Sequence, residues 1–350
     1  MFHSIAREAY QKFKHSNYHK AHQTNARSAL SIIESEQGKL SPKLKNRAAE
    51  YANDVLGWRG YAPWLDVYSA IAGEFKEGWI PDNYYGHVVI PVIKGSYGTI
   101  SNAKSLSARL LKTDRFPDAG YFVNGLFLSA AGAVIPPHKI KDYIFCNDDR
   151  IVFKSDHSVQ GKNIYFYDKE NFCLETINKL GNGVFQKYIN QHPFFDEIMS
   201  GSVATLRVTS VALDNGEISC RAAFLRIGLT HDTHIKWASN VIIPVEMASG
   251  RLQKKAYLPD WRSVTRHPET GYQWEGKVIP RYDEVRKYVM ETHKAFPFCR
   301  CIGWDLIVDK NDEIQVMEWN GEHNDIKFHE AISGPCFAEM GWENLWRHRS

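Results

Sequence analysis

The sequence predicts an α+β protein in which a helical N-terminal region precedes a strand-rich remainder. Apolar residues recur at helical spacing within residues 5–58, whereas short β-branched and aromatic runs separated by polar turns prevail from residue 151 onward. Helical patterns lie between those strands, and this mixed order indicates α+β rather than all-β. With 350 residues, 43% of them hydrophobic, the chain is long enough to form two or three cores.

The N-terminal region is predicted to contain three helices, at residues 5–18, 26–35 and 44–58. Ser41 followed by Pro42 is a typical start for the third helix. Residues 1–27 carry five basic residues and four histidines against a single acid, Glu8. Such a patch can bind a polyanion or a membrane surface, and the alternative is the solvated face of a surface helix.

The remainder is predicted to start with one strand at residues 88–93 and a helix at residues 102–111. Further strands are predicted at residues 151–154, 164–167, 184–189, 204–213, 219–227, 241–246, 301–308 and 314–319. The triplet Asp214-Asn215-Gly216 is typical of a hairpin turn. An amphipathic helix at residues 282–295 precedes the last two strands.

Composition argues against several classes of protein. A formal net charge of +3 is too small to indicate a nucleic-acid partner. The longest apolar stretch, residues 121–135, is shorter than the ~20 residues that a membrane-spanning helix needs. The N-terminus lacks the apolar segment of a signal peptide. Six scattered cysteines are interpreted as buried free thiols, so we expect a cytoplasmic protein without an integral membrane segment.

Two acids and an amide near the C-terminus form the most informative pattern. Glu318 and Asn320 share one face of a predicted strand because side chains alternate along it. If Asp309 pairs with Ile314, Asp305 lies opposite Glu318, with the side chains about 5 Å apart. Carboxylates this close repel each other in an apolar sheet, and Mg²⁺ would relieve that repulsion. The alternative is an ordinary hairpin whose acids face solvent.

Basic residues in the predicted strands suggest a phosphate site. Lys154 ends an apolar strand and precedes a polar loop, so its ammonium group can reach a nucleotide phosphate, and the N–H groups of the loop can cover the phosphates. Arg207 lies in a β-rich run where an unpaired arginine is costly to bury. It is expected to bind a phosphate or carboxylate ligand, and the alternative is a structural salt bridge. Arg226 in the next strand is a similar but weaker case. For Lys154, a solvated strand end is the alternative.

In this order, the motifs resemble the ATP-grasp superfamily, in particular the group described as sugar-transfer-associated ATP-grasp proteins. The resemblance extends from about residue 81 to the C-terminus. The matching stretches are Lys104 on its predicted helix, residues 152–154 with the following loop, and residues 184–193, 202–208, 267–271, 303–305 and 318–320.

The resemblance implies an ATP-grasp fold, in which two α+β subdomains hold ATP between them. The nucleotide-binding residues that it implies are Lys104, Lys154, Ser158, Gly161, Gln186, Lys187, Tyr188, Ile189, His192 and Asn240. The implied Mg²⁺ ligands are Asp305, Glu318 and Asn320, and the implied catalytic residues are Arg207 and Lys154. One departure concerns the phosphate loop, which often carries two or more glycines in the family, whereas residues 156–162 contain only Gly161.

The implied activity is that of an ADP-forming carboxylate–amine ligase, which activates a carboxylate as an acyl phosphate. Alternatives are a kinase on the same scaffold and a non-catalytic nucleotide-binding protein of polysaccharide or peptide biosynthesis. The substrates would be a small-molecule, peptide or sugar carboxylate and a nucleophilic acceptor. The implied domains are a helical region (1–80), a pre-grasp segment with the small subdomain (81–190) and the large subdomain with the metal site (191–350). A homodimer is expected from the general frequency of dimers.

Overall fold

A computed structural model describes residues 2–157, 163–229 and 239–348, with side chains from residue 13 to residue 347 within those ranges. The chain divides into two compact units. The helical unit comprises Met1–Gly95, Asp260–Ser263 and Asp325–Ser350, and the sheet unit comprises Ser96–Pro259 and Val264–Asn324.

The α-helices are α1 (Phe2–Gln37), α2 (Pro42–Asp54), α3 (Ala62–Ala72), α4 (Asp82–Tyr84), α5 (Ile90–Ile93), α6 (Ser107–Leu110), α7 (Ile140–Ile144), α8 (Leu174–Leu180), α9 (Pro193–Ile198), α10 (Tyr282–Lys294) and α11 (Lys327–Ser333). Short 3₁₀ helices lie at Arg59–Tyr61, Gly95–Asn102, Lys104–Leu106, Pro137–Lys139 and Trp342–His348, and Tyr85–Val89 is a π-helical turn.

The strands are β1 (Asp118–Val123), β2 (Leu126–Ser129), β3 (Val134–Ile135), β4 (Arg150–Ser155), β5 (Ile164–Asp168), β6 (Gly183–Lys187), β7 (Thr205–Ala212), β8 (Ile218–Gly228), β9 (Asn240–Val245), β10 (Ala256–Tyr257), β11 (Ser263–Val264), β12 (Cys301–Val308) and β13 (Ile314–Asn320). They form a six-stranded sheet of order β3-β2-β1-β6-β4-β5, the small sheet, and a seven-stranded sheet of order β11-β10-β9-β8-β7-β12-β13, the large sheet.

The N-terminal helices differ from the prediction in their lengths. The first two predicted helices are one continuous helix, α1, since no proline or glycine interrupts the chain before Gly38. The predicted start of the next helix is confirmed, because Ser41 Oγ accepts the Leu44 N–H at 3.3 Å and Pro42 occupies the first turn.

The strand predicted at residues 88–93 is wrong. The chain there forms the π-helical turn Tyr85–Val89 followed by α5. A short apolar run does not distinguish a buried strand from a buried helical turn. Pro91 within the run is the overlooked signal, since a proline is accepted in the first turn of a helix but disfavoured inside a strand.

The small sheet has a core on one face. Ile151, Phe153 and Phe185 point into that core with the residues of β2 and α8. Side chains alternate along a strand, so Lys154 of β4 and Gln186 of β6 lie on the opposite face. The sheet thereby presents a lysine and an amide on a face that its core does not occupy.

The large sheet is also apolar on one face. Leu206, Leu225 and Trp304 lie in its core, which includes Val285 and Val289 of α10. The predicted amphipathic helix is therefore present, and it packs on β7 and β8. Arg207 and Asp305, one residue along from Leu206 and Trp304, belong to the opposite face.

The cysteines and the helices bear on two further expectations. All six cysteines are free, but Cys146 and Cys173 are exposed and Cys220 is half-buried, so the expectation of buried thiols holds only for Cys299, Cys301 and Cys336. In the part of the chain that the structure describes, no helix combines the length and the apolar character needed to cross a bilayer.

Candidate functional site

The predicted pairing of Asp305 with Glu318 is confirmed. Near the turn, Val308 rather than Asp309 pairs with Ile314. An irregularity between Leu306 and Asp305 shifts the register by one residue, so that Asp305 faces Glu318 as predicted. On its other side Asp305 faces Arg207 of β7. Glu318, Asp305 and Arg207 thus form one row across three neighbouring strands.

Asp305 binds two arginines on the polar face of the large sheet. Its carboxylate accepts hydrogen bonds from Arg207 Nε at 2.6 Å and Arg207 Nη2 at 2.9 Å, and one from Arg226 Nη2 at 2.7 Å. Asn320 Nδ2 lies 3.3 Å from the same carboxylate. A carboxylate offers about four lone-pair sites, so these four donors fill its capacity. Burial acts to raise the pKa of Asp305, but the charges of the two arginines outweigh it and hold the pKa well below its usual value.

Gly303 makes room for the Arg207 guanidinium group. A Cβ at this position would lie 2.8 Å from Asn324 Cβ and 3.3 Å from Arg207 Nη1. The same Nη1 donates to the Asn324 carbonyl oxygen at 3.1 Å. The absence of a side chain at residue 303 therefore lets Arg207 reach both Asp305 and the backbone beyond β13.

Two lysines reach the β13 strand from the side of the small sheet. Lys104 Nζ lies 3.1 Å from Glu318 Oε1, and Lys154 Nζ donates to the Met317 carbonyl oxygen at 3.1 Å. The helix predicted at residues 102–111 is found as two short pieces, a 3₁₀ turn at Lys104–Leu106 and α6. Lys104 lies in the first of them. Desolvation lowers the pKa of Lys154, and the negative charge of Glu318 opposes that shift. The structure therefore brings both predicted phosphate-binding lysines to the predicted metal-binding strand.

Asp118 of β1, which the sequence did not suggest, lies close enough to Lys154 for its charge to act on that lysine. Gln186 Nε2 donates to Asp118 Oδ1 at 2.9 Å, and the Tyr121 hydroxyl donates to Asp118 Oδ2 at 3.0 Å. Burial raises the pKa of Asp118, while these two hydrogen bonds act in the opposite direction. Asp118 opens a strand of otherwise apolar and aromatic residues, and an acid in that position is the signal that could have identified it.

The segment after β6 connects the two sheets. The Lys187 N–H donates to the Pro117 carbonyl oxygen at 2.8 Å, and Tyr188 lies under the Arg150 guanidinium group at 4.4 Å. Ile189 packs against the core of the large sheet. Gln191 forms a β-bridge with Asp309 at the end of β12. This geometry agrees with a hinge strand, and adenine recognition by residues 186–189 stays a prediction.

Four further nucleotide-binding residues were predicted, and the structure describes two of them, His192 and Asn240. His192 caps α9, since its Nδ1 accepts the Phe194 N–H at 3.0 Å. Asn240 is buried at the start of β9, opposite Gly228. Ser158 and Gly161 lie outside the described residues.

The donor atoms suit Mg²⁺ unequally. Glu318 and Asn320 lie on one face of β13 and supply a carboxylate and an amide oxygen, which are ligand types that Mg²⁺ accepts. Asp305 already accepts from two cationic guanidinium groups, so a metal ion would have to displace one of them. Glu318 pairs with one lysine, Lys104, through Oε1 and keeps its second oxygen for a metal ion. The donor chemistry therefore fits Mg²⁺ at Glu318 and Asn320, and it gives Asp305 a second role as the anchor of Arg207 and Arg226.

Residues 175–338 match the family described as sugar-transfer associated ATP-grasp. The predicted resemblance is confirmed. The matched segment, residues 175–338, is just under half of the chain and contains Arg207, Asp305 and Glu318. The α+β fold class with its N-terminal helical region is likewise confirmed.

Solved ATP-grasp structures give weaker matches. The ATP-grasp ligase PsnB, complexed with a minimal precursor, is 13% identical over 73% of this chain and 64% of its own, with a TM-score of 0.41. N5-carboxyaminoimidazole synthetase from Staphylococcus aureus, complexed with ADP, is 10% identical over 77% of this chain and 53% of its own, with a TM-score of 0.40. Biotin carboxylase from Campylobacter jejuni is 12% identical over 91% of this chain and 67% of its own, with a TM-score of 0.43. This chain thus spans less than two thirds of the length of the first two, and no curated protein matches it.

Proposed function

We propose that this chain is an ATP-dependent, ADP-forming ligase that activates a substrate carboxylate as an acyl phosphate. The observation that carries the proposal is the meeting of Lys104 and Lys154 with β13, beside the Arg207–Asp305 pair. Cations that converge from two sheets on a strand bearing metal-type ligands suit a nucleoside triphosphate, whose charge both groups would neutralise. The match of residues 175–338 to an ATP-grasp family supports the same assignment.

In the proposed reaction a carboxylate oxygen bonds to the γ-phosphorus of ATP while the bond from that phosphorus to the β,γ-bridging oxygen breaks, releasing ADP. An amine nitrogen or another nucleophile then bonds to the acyl carbon while the carbon–phosphate oxygen bond breaks. Inorganic phosphate leaves, and the attacking atom loses its proton. No covalent enzyme intermediate is needed, so positioning and charge neutralisation account for the catalysis.

The side chains of the cluster divide this work. Lys104 and Lys154 would hold the phosphates as point charges. Arg207, whose planar guanidinium group is fixed by Asp305, would face the charge of the transferring phosphoryl group or of the acyl phosphate. Arg226 shares the same carboxylate and is a second cation for that task. Glu318 and Asn320 would hold a magnesium ion, which would supply charge neutralisation for the phosphates.

The test is an ADP-release assay with magnesium and a panel of carboxylates and amines, including peptide and sugar acids. We expect ADP and free phosphate to be released in equal amounts with the correct pair. Arg207→Lys should lower turnover about 10²–10³-fold, since a lysine cannot offer the transferring phosphoryl group the planar guanidinium donor that Asp305 holds in place. Arg266→Lys is the matched control, because Arg266 is exposed in the same unit.

Two outcomes would identify a different activity, and a third would argue against the metal site. ADP with a phosphorylated acceptor and no free phosphate would identify a kinase. Tight ATP binding without turnover across the panel would identify a nucleotide-binding protein. Near-normal turnover of Glu318→Gln, with Glu313→Gln on the same hairpin as its control, would remove Glu318 from the proposed metal site. We retain a cytoplasmic location and a homodimer as proposals, the second to be measured by light scattering.

A further inference from the structure

Three histidines of the helical unit direct the same ring nitrogen toward one another. His15 Nε2 lies 2.7 Å from His87 Nε2 and 3.1 Å from His19 Nε2. The ligand atoms of all three rings lie within 4.8 Å of one another. His19 is buried, His87 is half-buried and His15 is exposed, so the cluster opens to solvent on one side.

This packing of nitrogens is difficult to satisfy with hydrogen bonds alone. A neutral imidazole nitrogen offers either one N–H or one lone pair. His15 Nε2 has two such neighbours, so it cannot form a linear hydrogen bond to both. A cation accepts all three lone pairs at once, which removes the conflict.

The spacing is close to that of a tetrahedral metal site. Zinc–nitrogen distances of about 2.0–2.1 Å separate two ligand nitrogens by ~3.3 Å. The distances of 2.7 and 3.1 Å are both shorter than that value, so the rings would have to move apart to admit the ion. Three imidazole ligands suit zinc-class divalent ions rather than magnesium or calcium.

The backbone explains how the three rings meet. His15 and His19 are four residues apart on α1, so they lie on the same face one turn from each other. His87 lies in the π-helical turn, and such turns occur frequently at functional sites. The exposed position of His15 leaves a direction from which water can complete the coordination.

Polar groups surround the histidines as they do at metal sites. Asn83 Nδ2 lies 3.3 Å from His19 Nδ1 and 3.3 Å from the Gly60 carbonyl oxygen. Buried Asp82 lies 3.5 Å from His22 Nδ1, one helical turn beyond His19.

We propose that His15, His19 and His87 bind one zinc-class divalent cation, which ties α1 to the π-helical turn Tyr85–Val89. The site belongs entirely to the helical unit and does not depend on the ligase activity. It also accounts for part of the histidine-rich N-terminus that the sequence leaves unassigned.

The test is Zn²⁺ titration of the metal-stripped full-length chain by calorimetry. We expect one high-affinity site per chain. His15→Gln should weaken Zn²⁺ binding at least about 100-fold, more than the 10–100-fold loss typical of a supporting residue. His15 is exposed, so this variant should still fold, and His87→Gln should give the same loss. His138→Gln is the matched control, because His138 is exposed and lies in the other unit.

Co²⁺ in place of Zn²⁺ gives an independent readout. The wild type should show the intense visible absorption of a four-coordinate Co²⁺ ion, and His15→Gln and His87→Gln should not. Equal Zn²⁺ affinity in the wild type and in both variants would overturn the proposal. The proposal would also be overturned if Zn²⁺ binding were lost only when other N-terminal histidines were substituted.

Discussion

At the scale of single residues, the main finding is that Asp305 anchors Arg207 and Arg226. The sequence predicted Asp305 opposite Glu318 from a pairing of Asp309 with Ile314. The turn instead pairs Val308 with Ile314, and the irregularity between Asp305 and Leu306 restores the predicted pair. The sequence did not predict the arginine pairs. Which strand lies on the other side of β12 depends on the order of strands in the sheet, and β7 is distant from β12 in the chain.

Asp305→Asn should lower the free energy of unfolding by about 3–5 kcal/mol, because it leaves the buried guanidinium group of Arg207 and the half-buried one of Arg226 without their counter-charge. Urea denaturation at neutral pH measures the change. Asp114→Asn is the control, since Asp114 is almost fully exposed, and it should change the free energy by less than about 0.5 kcal/mol. A loss no larger than that of the control would mean that the two arginines do not need Asp305.

A pH dependence is expected from Asp118, whose pKa burial raises. Between the ordinary pKa of an aspartate and this raised value, the folded state binds more protons than the unfolded state. The contribution of Asp118 to stability is therefore present at low pH and is lost as the pH rises through the raised pKa. Relative to Asp118→Asn, the wild type should lose stability between pH 4 and neutral pH.

Urea denaturation of the wild type and Asp118→Asn at several pH values between 4 and 7 tests this expectation. The Asn side chain can still accept the hydrogen bond from Gln186, so the variant should fold. The difference between wild type and Asp114→Asn should not show the same decline. A difference for Asp118→Asn that is constant with pH would contradict the raised pKa.

At the scale of elements, the sequence predicted the strands that carry Lys154, Arg207 and Asp305 well, but it did not predict β1, and it predicted the short helices poorly. The β12 strand begins and ends where the sequence predicts, because a long apolar run between polar turns has a single interpretation as a hairpin strand. The π-helical turn Tyr85–Val89 could not be predicted, since a buried apolar run leaves no periodic signal. The same difficulty hid the histidine cluster, because His87 is 72 residues from His15 in the chain.

The start of α2 gives a test at this scale. Ser41→Ala should lower the free energy of unfolding by about 1 kcal/mol, since the Leu44 N–H loses its capping oxygen. Ser16→Ala is the control, because Ser16 is exposed inside α1, where alanine is the better helix former. Thermal denaturation followed by circular dichroism measures both. Equal melting temperatures for the two variants would contradict the role of the cap.

At the scale of the molecule, the two proposed sites belong to different units. Every contact proposed for ATP comes from residues of the sheet unit, whereas the three histidines belong to the helical unit. The sequence predicted a helical region followed by a small and a large sheet-bearing subdomain, and this division into domains stays a prediction. It did not predict that residues 325–350 return to the helical unit, since a distant part of the chain supplies the surface on which they pack.

Hydrogen exchange of the full-length chain with ATP and with Zn²⁺ tests both proposals in one measurement. A ligand slows exchange in the elements whose opening would cost its binding energy. ATP with magnesium should therefore protect β4, β6 and β13, and the protection should disappear in a variant with Lys104→Met and Lys154→Met. Zn²⁺ should instead protect the part of α1 around His19 and the π-helical turn, and His15→Gln should abolish that effect. ATP protection without zinc protection would overturn only the histidine site, and the reverse result would overturn only the nucleotide site.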